Sequence, residues 1–507
     1  MAHRFVRSSS MCGIAAVHDP TSVPTGEPML AALAHRGPDG SDHRRVGRHA
    51  WLGHTRLSIV DLDGGSQPMA GPDGWTLVCN GEVYNHAELR EDLGEQHFRT
   101  GSDSEAALVL LARCGPAALH RVQGMWALCA AAPDGRFVAA RDRLGIKPLY
   151  WAEVGGTRWF ASELRAFPAA VQDAVETFPP GCSWTPETGL VRFADPVPDP
   201  DGAPDWAALP TEVAEKATRE VLVDSVRRHL MADVEVGVFL SGGLDSSIVA
   251  AIAAAECAEA GQRLKTFAVG TAGSPDLRAA RAAAEHLGTE HHEAVFDAER
   301  AVAVLDDVVR SVESFDASLV RSAVPNWFLA ELASRHVKAV LTGEGADELF
   351  AGYGYYHRAH ADDLPAELVR TIGALHGLNL QRCDRVTMAH GLEARVPFLD
   401  TDVIAHAMSL PAELKALEDG VEKAHLRRAF SGWLPDELLW RRKAQFGTGS
   451  GAQDLLTPYW ESRVTDAELA ASAAPVRTKE ELAYYRTFRR ALPDVRVDAV
   501  LTRFATA

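Results

Sequence analysis

The stretch VGVFLSGGLDSSIVAAIAA, residues 236–254, is apolar on both sides of a two-glycine turn. A strand with no polar alternation is buried on both faces, which is the environment of a parallel sheet covered by helices. The text around it repeats that pattern. An amphipathic helix is predicted over roughly 211–230, then VEVGVFL as a strand, a helix from Asp245, the strand LKTFAVG and a helix from Pro275. The strand HHEAVF, more helix and the strand KAVLT follow. Apolar strands alternating with helices imply a doubly wound parallel α/β sheet.

The first half reads differently. From Arg45 to about Glu163, short strands such as WTLVCNG and MWALCAAA are separated by the hairpin turns APDGRF and VGGTRW, so this half is expected to be antiparallel. Two helical segments interrupt it, HAELREDL and SEAALVLLARC, the second closed by Gly115 at a C-cap position. Between the halves, prolines at 196, 198, 200, 204 and 210 favour extended, weakly packed backbone. The expected division is therefore a first domain over 12–195, a proline-rich linker over 196–210 and a second domain over 211–507. A chain of 507 residues is in any case too long for one core, since single cores stop growing near ~250 to 300 residues.

A formal net charge of −18 argues against a nucleic-acid surface, which needs clustered Lys and Arg. No apolar run approaches membrane-spanning length, and the first ten residues, MAHRFVRSSS, lack the apolar core of a secretory signal. Seven cysteines, with no C-x-x-C pair, point to reduced thiols in a cytoplasm.

The turn Ser241-Gly242-Gly243-Leu244-Asp245-Ser246 joins a strand to a helix. Two glycines let the backbone approach an anion, and the N–H groups of the next helix donate to it. The turn lacks G-K-[ST] and G-x-G-x-x-G, so it is neither a Walker A loop nor a dinucleotide fingerprint; hydroxyls without a lysine suit pyrophosphate. A plain glycine turn with Asp245 and Ser246 as helix caps is the bland alternative. The turn resembles the pyrophosphate-binding loop of the ATP pyrophosphatases. A second turn, Thr342-Gly343-Glu344-Gly345-Ala346-Asp347-Glu348, ends KAVLT and is expected to face the same crevice, because ligands collect at the carboxyl ends of parallel strands. Its carboxylates are tolerable near phosphates if Mg²⁺ lies between them.

Cys12 opens the strand-like CGIAAV. A terminal cysteine carries its own base, because an α-amine with a pKa of about 7.7 to 8 accepts the thiol proton, which an amide nitrogen cannot do. Alone, Cys12 would read as a core residue. It is accompanied by H-R-G-P-D at 35 to 39, Arg56, Asn80-Gly81-Glu82 and Gly101-Ser102-Asp103. An Asn side chain with the next Gly N–H suits an oxyanion hole, and Arg56 with Asp103 suits the carboxylate and ammonium of an amino acid.

Together these residues are similar to the class II glutamine amidotransferases. With SGGLDSS, TGEGADE, RVPFLD, EKAHLRRAF, LWRRKAQF and KEELAYYRTFRRALP in order, nearly the whole chain resembles the glutamine-hydrolysing asparagine synthetases of the bacterial B type. The resemblance implies an Ntn-type αββα antiparallel sandwich followed by an ATP-pyrophosphatase sheet of the adenine nucleotide α-hydrolase-like kind. It implies that Cys12 attacks glutamine to form a thioester, with Asn80 and Gly81 stabilising the oxyanion, and that Arg56, Leu57, Ser58, Ile59, Val60, Glu82 and Asp103 hold glutamine. Leu240, Ser241, Gly242, Gly243, Asp245, Ser246, Val269, Thr342 and Gly343 correspond to the ATP site, and Asp245 and Asp347 to Mg²⁺ ligands. Glu344 matches the carboxylate needed around adenylate formation and amination, and Lys443 a lysine that steadies phosphate charge. The implied reaction converts aspartate, glutamine and ATP to asparagine, glutamate, AMP and diphosphate, with ammonia passed through an internal tunnel. A homodimer without nucleic-acid or membrane partners is implied as well.

Two departures leave the acceptor acid open. Phe446-Gly447-Thr448-Gly449 stands where the family commonly reads F-S-[DE]-G, and TGEGAD replaces the commoner S-G-E-G-S-D. The alternatives are an amidotransferase for another carboxylate and a non-catalytic nucleotide-binding relative; a β-lactam synthetase is disfavoured because Cys12, Arg56, Asn80 and Asp103 are all retained. Residues 1 to 10 are expected to be absent from the mature protein, with initiation at Met11 and removal of that methionine exposing the Cys12 amine. His291-His292-Glu293 is set aside as a metal site because adjacent strand residues face opposite ways.

Overall fold

The computed structural model describes residues 12–37, 39–199, 202–358, 363–442 and 450–504. They form two compact units. The first takes the chain to Ala194 together with Asp384–Glu393 and Phe488–Leu501; the second takes Asp195–Cys383, Ala394–Thr487 and the residues from Thr502.

Twelve strands build the first unit: β1 (Gly13–His18), β2 (Gly40–Val46), β3 (Ala50–Arg56), β4 (Met69–Ala70), β5 (Thr76–Val83), β6 (Gly124–Ala131), β7 (Phe137–Arg141), β8 (Tyr150–Val154), β9 (Thr157–Ala161), β10 (Glu176–Thr177), β11 (Cys182–Thr185) and β12 (Gly189–Arg192). They form two six-stranded sheets, ordered β10-β8-β9-β1-β3-β2 and β12-β11-β7-β6-β5-β4. The register is antiparallel from β1 against β3 to β6 against β7. Helix α1 (Glu27–Ala32) lies on β1 and β3, while α3 (Ser104–Cys114), packed on α2 (His86–Leu93), covers β5. The layers therefore run α-β-β-α, as the resemblance implied. Strand β6 shows why it reads as continuously apolar: Ala127, Cys129 and Ala131 enter the core between the sheets, and Trp126, Leu128 and Ala130 enter the core beneath α3. Gly115 ends α3 at φ 76°, a backbone that glycine adopts without strain.

The second unit begins with α4 (Thr211–His229) and carries a five-stranded sheet of β13 (Val236–Phe239), β14 (Lys265–Gly270), β15 (Glu290–Val295), β16 (Ala339–Leu341) and β17 (Glu393–Arg395), ordered β15-β14-β13-β16-β17. β13 pairs in parallel with β14 and β16, and β14 with β15. Helices α5 (Leu244–Glu259), α6 (Pro275–Leu287) and α9 (Ala317–Ala333) pack on it, and α7 (Ala298–Ala303) and α8 (Leu305–Val312) lie between β15 and α9 in the chain, α8 packed on α9. Helix α6 is punctuated at both ends: Ser274 accepts from the Leu277 N–H, Pro275 opens the helix, and Gly288 closes it in the left-handed region. From β13 the chain winds outward to β14 and β15, then returns to lay β16 on the other side of β13. That reversal opens a crevice at the carboxyl ends of β13 and β16. Among the described residues, no helix is long and apolar enough to cross a membrane.

Candidate active sites

The first site is built at one end of the first unit's sheets. Gly13 pairs with Thr55, so the register brings Cys12 alongside Arg56. The Cys12 thiol points at the Leu57 carbonyl, with Sγ to O 3.7 Å. Burial pushes the thiol pKa up to about 12, the Leu57 carbonyl contact opposes this, and the Glu393 and Glu82 carboxylates add to it. The sulfur therefore holds its proton at neutral pH. Asn80 lies on β5, tied to the other sheet where His54 Nε2 meets the Cys79 carbonyl at 3.2 Å. Its buried Nδ2 has no hydrogen-bond partner among the described residues, a donor left for a ligand. Gly81 follows at φ 135°, where a Cβ would overlap the Met125 carbonyl, so only glycine fits beside that amide.

The other residues expected to hold glutamine lie around this end. Arg56 Nη1 donates to the Leu62 carbonyl at 3.0 Å and Nη2 to that of Asp61 at 2.7 Å, which draws the chain from Leu57 to Val60 into a loop under the guanidinium. Ser58 N–H donates to Asp39 Oδ2 at 2.9 Å, and Leu57 and Ile59 are buried. Asp103 accepts from the Val83 N–H at 2.6 Å, which fixes it at the end of β5 near Glu82.

Behind the thiol lies a buried ion network that the sequence did not reveal. Arg36, fully buried, donates through Nε to the Cys12 carbonyl at 3.1 Å. Its other nitrogens reach Glu163 Oε1 at 2.7 Å and Asp384 at 3.0 and 3.2 Å. Lys147 pairs with Glu393 at 3.3 Å, and Arg385 with Glu163 at 3.2 Å. Burial opposes charge on Glu163, yet His35, Arg165 and Arg385 hold its carboxyl well below the usual range. Arg36 belongs to the H-R-G-P-D run, but its partner Asp384 is 348 residues away, a pairing that no local pattern announces.

The second unit's crevice is a cavity of about 410 Å³. Leu240, Ser241, Gly243, Asp245, Ser246, Val269, Thr342, Gly343, Glu344 and Asp347 all line it. Gly242 sits behind the wall at φ 70°, packed on the backbone of Ala279 and Ala280, with its carbonyl accepting from Arg441 at 3.0 Å. The loop is braced by its hydroxyls: Ser246 Oγ accepts from the Ser241 N–H at 3.2 Å, and Ser241 Oγ from that of Gly243 at 3.3 Å. A Cβ on Gly343 would come within 2.8 Å of the Ser246 nitrogen, so glycine lets the two turns meet. Gly243 is the N-cap of α5 and makes no side-chain cap bond. Asp245 is turned elsewhere: Lys423 Nζ donates to its two oxygens at 2.7 and 2.8 Å and also pairs with Asp347. Two carboxylates from separate turns thus converge on one buried cation, a hard-oxygen donor pair that fits Mg²⁺. Burial opposes the charge on Lys423, but Asp245 and Asp347 raise its pKa above the ordinary lysine value.

Glu344 pairs with Arg382, and burial raises its pKa against that pairing. Glu348 accepts from Tyr353 Oη at 2.9 Å and Asn379 Nδ2 at 3.3 Å; burial, then Asp347, push its pKa up to about 7. Lys423, Arg382 and Tyr353 carry charge or hydrogen bonds in this site without having been singled out from sequence. The one available signal for Lys423 was its place in the run EKAHLRRAF. Lys443 and the run from Phe446 to Gly449 lie outside the described residues.

Comparison with known proteins follows the same two-part division. Residues 11–178 match a glutamine amidotransferase domain family, and residues 217–370 and 359–498 match an asparagine synthase family. A probable glutamine-hydrolysing asparagine synthetase of Schizosaccharomyces pombe is 38% identical over 97% of this chain and 95% of its own. Asparagine synthetase B of Escherichia coli is 38% identical over 91% of this chain and 87% of its own, and the Zea mays enzyme 37% over 95% and 86%.

Proposed function

This chain belongs to the glutamine-hydrolysing asparagine synthetase family, and from that premise we propose that it makes asparagine from aspartate, glutamine and ATP, releasing glutamate, AMP and diphosphate. The observation that carries the reading is that one chain holds both halves of the chemistry. Cys12 lies in the first unit with the partnerless Asn80 amide, and the second unit has a glycine-floored cavity where Asp245, Asp347 and Glu344 meet. We assign glutamine hydrolysis to 12–195 and synthesis to 211–507, joined by 196–210, with Asp384–Glu393 and Phe488–Leu501 within the second stretch packing into the first unit.

In the first domain, loss of Met11 after initiation there frees the Cys12 amine. Glutamine lies with its carboxylate on Arg56, its ammonium on Asp103 and Glu82, and its chain along the backbone of Leu57, Ser58, Ile59 and Val60. The Cys12 sulfur attacks the carboxamide carbon as its proton passes to the α-amine, and Asn80 Nδ2 and the Gly81 N–H donate to the oxyanion. The intermediate collapses as the α-ammonium returns the proton to the leaving nitrogen, giving ammonia and a thioester, which water hydrolyses to glutamate. Arg36, fixed on the Cys12 carbonyl, holds the nucleophile in place.

In the second domain, the Ser241 to Ser246 turn, Leu240, Val269, Thr342 and Gly343 bind ATP. Asp245 and Asp347 are the residues that would hold Mg²⁺, which supplies positive charge for the departing diphosphate. The acceptor's β-carboxylate oxygen attacks the α-phosphorus, and diphosphate leaves, with Lys443 countering its charge. Ammonia then attacks the acyl-adenylate carbonyl, Glu344 takes the surplus proton, and AMP departs. A cytoplasmic location agrees with seven cysteines that are all thiols. The homodimer expected from the resemblance is read from mass by light scattering.

The test is release of diphosphate with ATP, Mg²⁺, glutamine and a panel of carboxylates. Aspartate should turn over and Cys12→Ala should abolish glutamine hydrolysis. Turnover with another acid and silence with aspartate would overturn the acceptor, and an unimpaired Cys12→Ala enzyme would overturn the mechanism.

A further inference from the structure

Away from both sites, three ligand-bearing side chains meet on the edge strand of the second unit's sheet. Glu290 and His292 stand two residues apart on β15, hence on one face. His336, from the turn between α9 and β16, packs against them. His292 Nε2 lies 2.9 Å from Glu290 Oε1, and the two imidazole rings are 4.0 Å apart between centroids, tilted by 30°. One ligand atom from each of the three lies within 4.8 Å of the other two. None of the three lines the nucleotide cavity.

We propose that Glu290, His292 and His336 form a divalent transition-metal site, best suited to Zn²⁺, that clips the edge strand β15 to the turn preceding β16. Two imidazole nitrogens and one carboxylate oxygen are the borderline donor set that Zn²⁺ takes, at about 2.0 to 2.2 Å from each ligand. That geometry sets ligand atoms ~3.4 Å apart, so the present spread closes by small side-chain rotations. The Glu290 carboxylate keeps 45% of its side chain exposed and His292 keeps 23%, which leaves a fourth position open to water. Phe267 backs the pair, stacked at 5.4 Å on His292 and tilted at 5.7 Å to His336, so the rings are held rather than splayed into solvent. Two imidazoles this close cannot both be cationic without repulsion, whereas both can be neutral ligands.

The adjacent pair that the sequence displays is not the one that converges. His291 faces the other way, with Nδ1 on Thr266 Oγ1 at 3.0 Å and Nε2 3.3 Å from Glu293. The site instead draws on the period-two neighbour and on a residue from another element.

The test uses the full chain after chelator treatment, titrated with ZnCl₂ and separately with CoCl₂. Wild type should show a Zn²⁺-dependent rise in Tm, and Co²⁺ should give a tetrahedral visible spectrum without the thiolate charge-transfer band of a cysteine site. His292→Ala and His336→Gln should each weaken binding at least tenfold and remove the Tm rise, while His291→Ala leaves both unchanged. Retention of wild-type affinity by the folded His336→Gln protein, a thiolate band, or no binding by wild type would overturn the proposal. Asparagine formation is scored alongside, so a failure of the metal site is distinct from a failure of the enzymatic reading.

Discussion

Glu348 shows how far burial, with carboxylates close by, can move a residue. Its carboxyl has Asp347 and Glu344 nearby and accepts from two neutral donors, Tyr353 Oη and Asn379 Nδ2. Its folded pKa of about 7 stands above the ordinary 4.5. Between those values the native state binds a proton that the unfolded chain has released, so this group's contribution to stability falls as pH rises from 4.5 to 7. Glu348→Gln should therefore flatten the descent of unfolding free energy across that window, read by urea titration at several pH values. Parallel wild-type and variant curves would show that Glu348 is ionised in the native state. The Cys12 thiol is shifted upward chiefly by burial as well, so the proposed attack on glutamine calls for a separate proton acceptor. Cys12 and the proposed oxyanion donors, Asn80 and Gly81, were visible in the sequence as residue types in company. The partnerless state of Asn80 Nδ2 was not, because it depends on what packs around β5.

At the scale of elements, the strand-turn-helix of β13 and α5 is the part most directly written in sequence. Helix α5 buries Leu244, Ile248, Val249, Ala250, Ala251, Ile252 and Ala253, so its apolar run is a core packing requirement. The turn before it demands glycine at 242, whose φ of 70° and contact with the α6 backbone leave no room for a side chain. Gly242→Ala should reduce ATP-dependent diphosphate release by about tenfold to a hundredfold through displacement of the loop. Glutamine hydrolysis, assayed on the same protein, should change less than twofold; equal loss of both activities would mean general unfolding. Strand alternation, both hairpin turns and the Gly115 stop were readable because each is a local rule. The Lys423 bridge between Asp245 and Asp347 was not, since it joins β13's turn to β16's turn through a residue 178 positions beyond Asp245.

At the scale of the molecule, the first unit is not one continuous stretch of chain. It takes in Asp384–Glu393 and Phe488–Leu501, and the first of these supplies Asp384 to Arg36, Glu393 to Lys147 and Arg385 to Glu163. Removing one member of a buried charge pair leaves the other uncompensated, at a cost of about 3 to 5 kcal/mol. A fragment ending at residue 194 should therefore hydrolyse glutamine at least about tenfold more slowly than the full chain, because the Arg36 hold on the Cys12 carbonyl is loosened. Equal kcat for the fragment and the full chain would show that the returning segment has no part in positioning the nucleophile.

By itself the sequence determined the architecture of each half, the two glycine-bearing turns and the cysteine with its company. Periodicity, capping and turn chemistry act between neighbours in the chain and leave their mark in it. Only the tertiary structure decided which charges meet: Arg36 with Asp384, Lys423 with Asp245 and Asp347, and His336 with Glu290 and His292. Those pairings depend on burial and approach between residues far apart in the chain, and Coulomb attraction is set by distance in space, for which order along the chain holds no record.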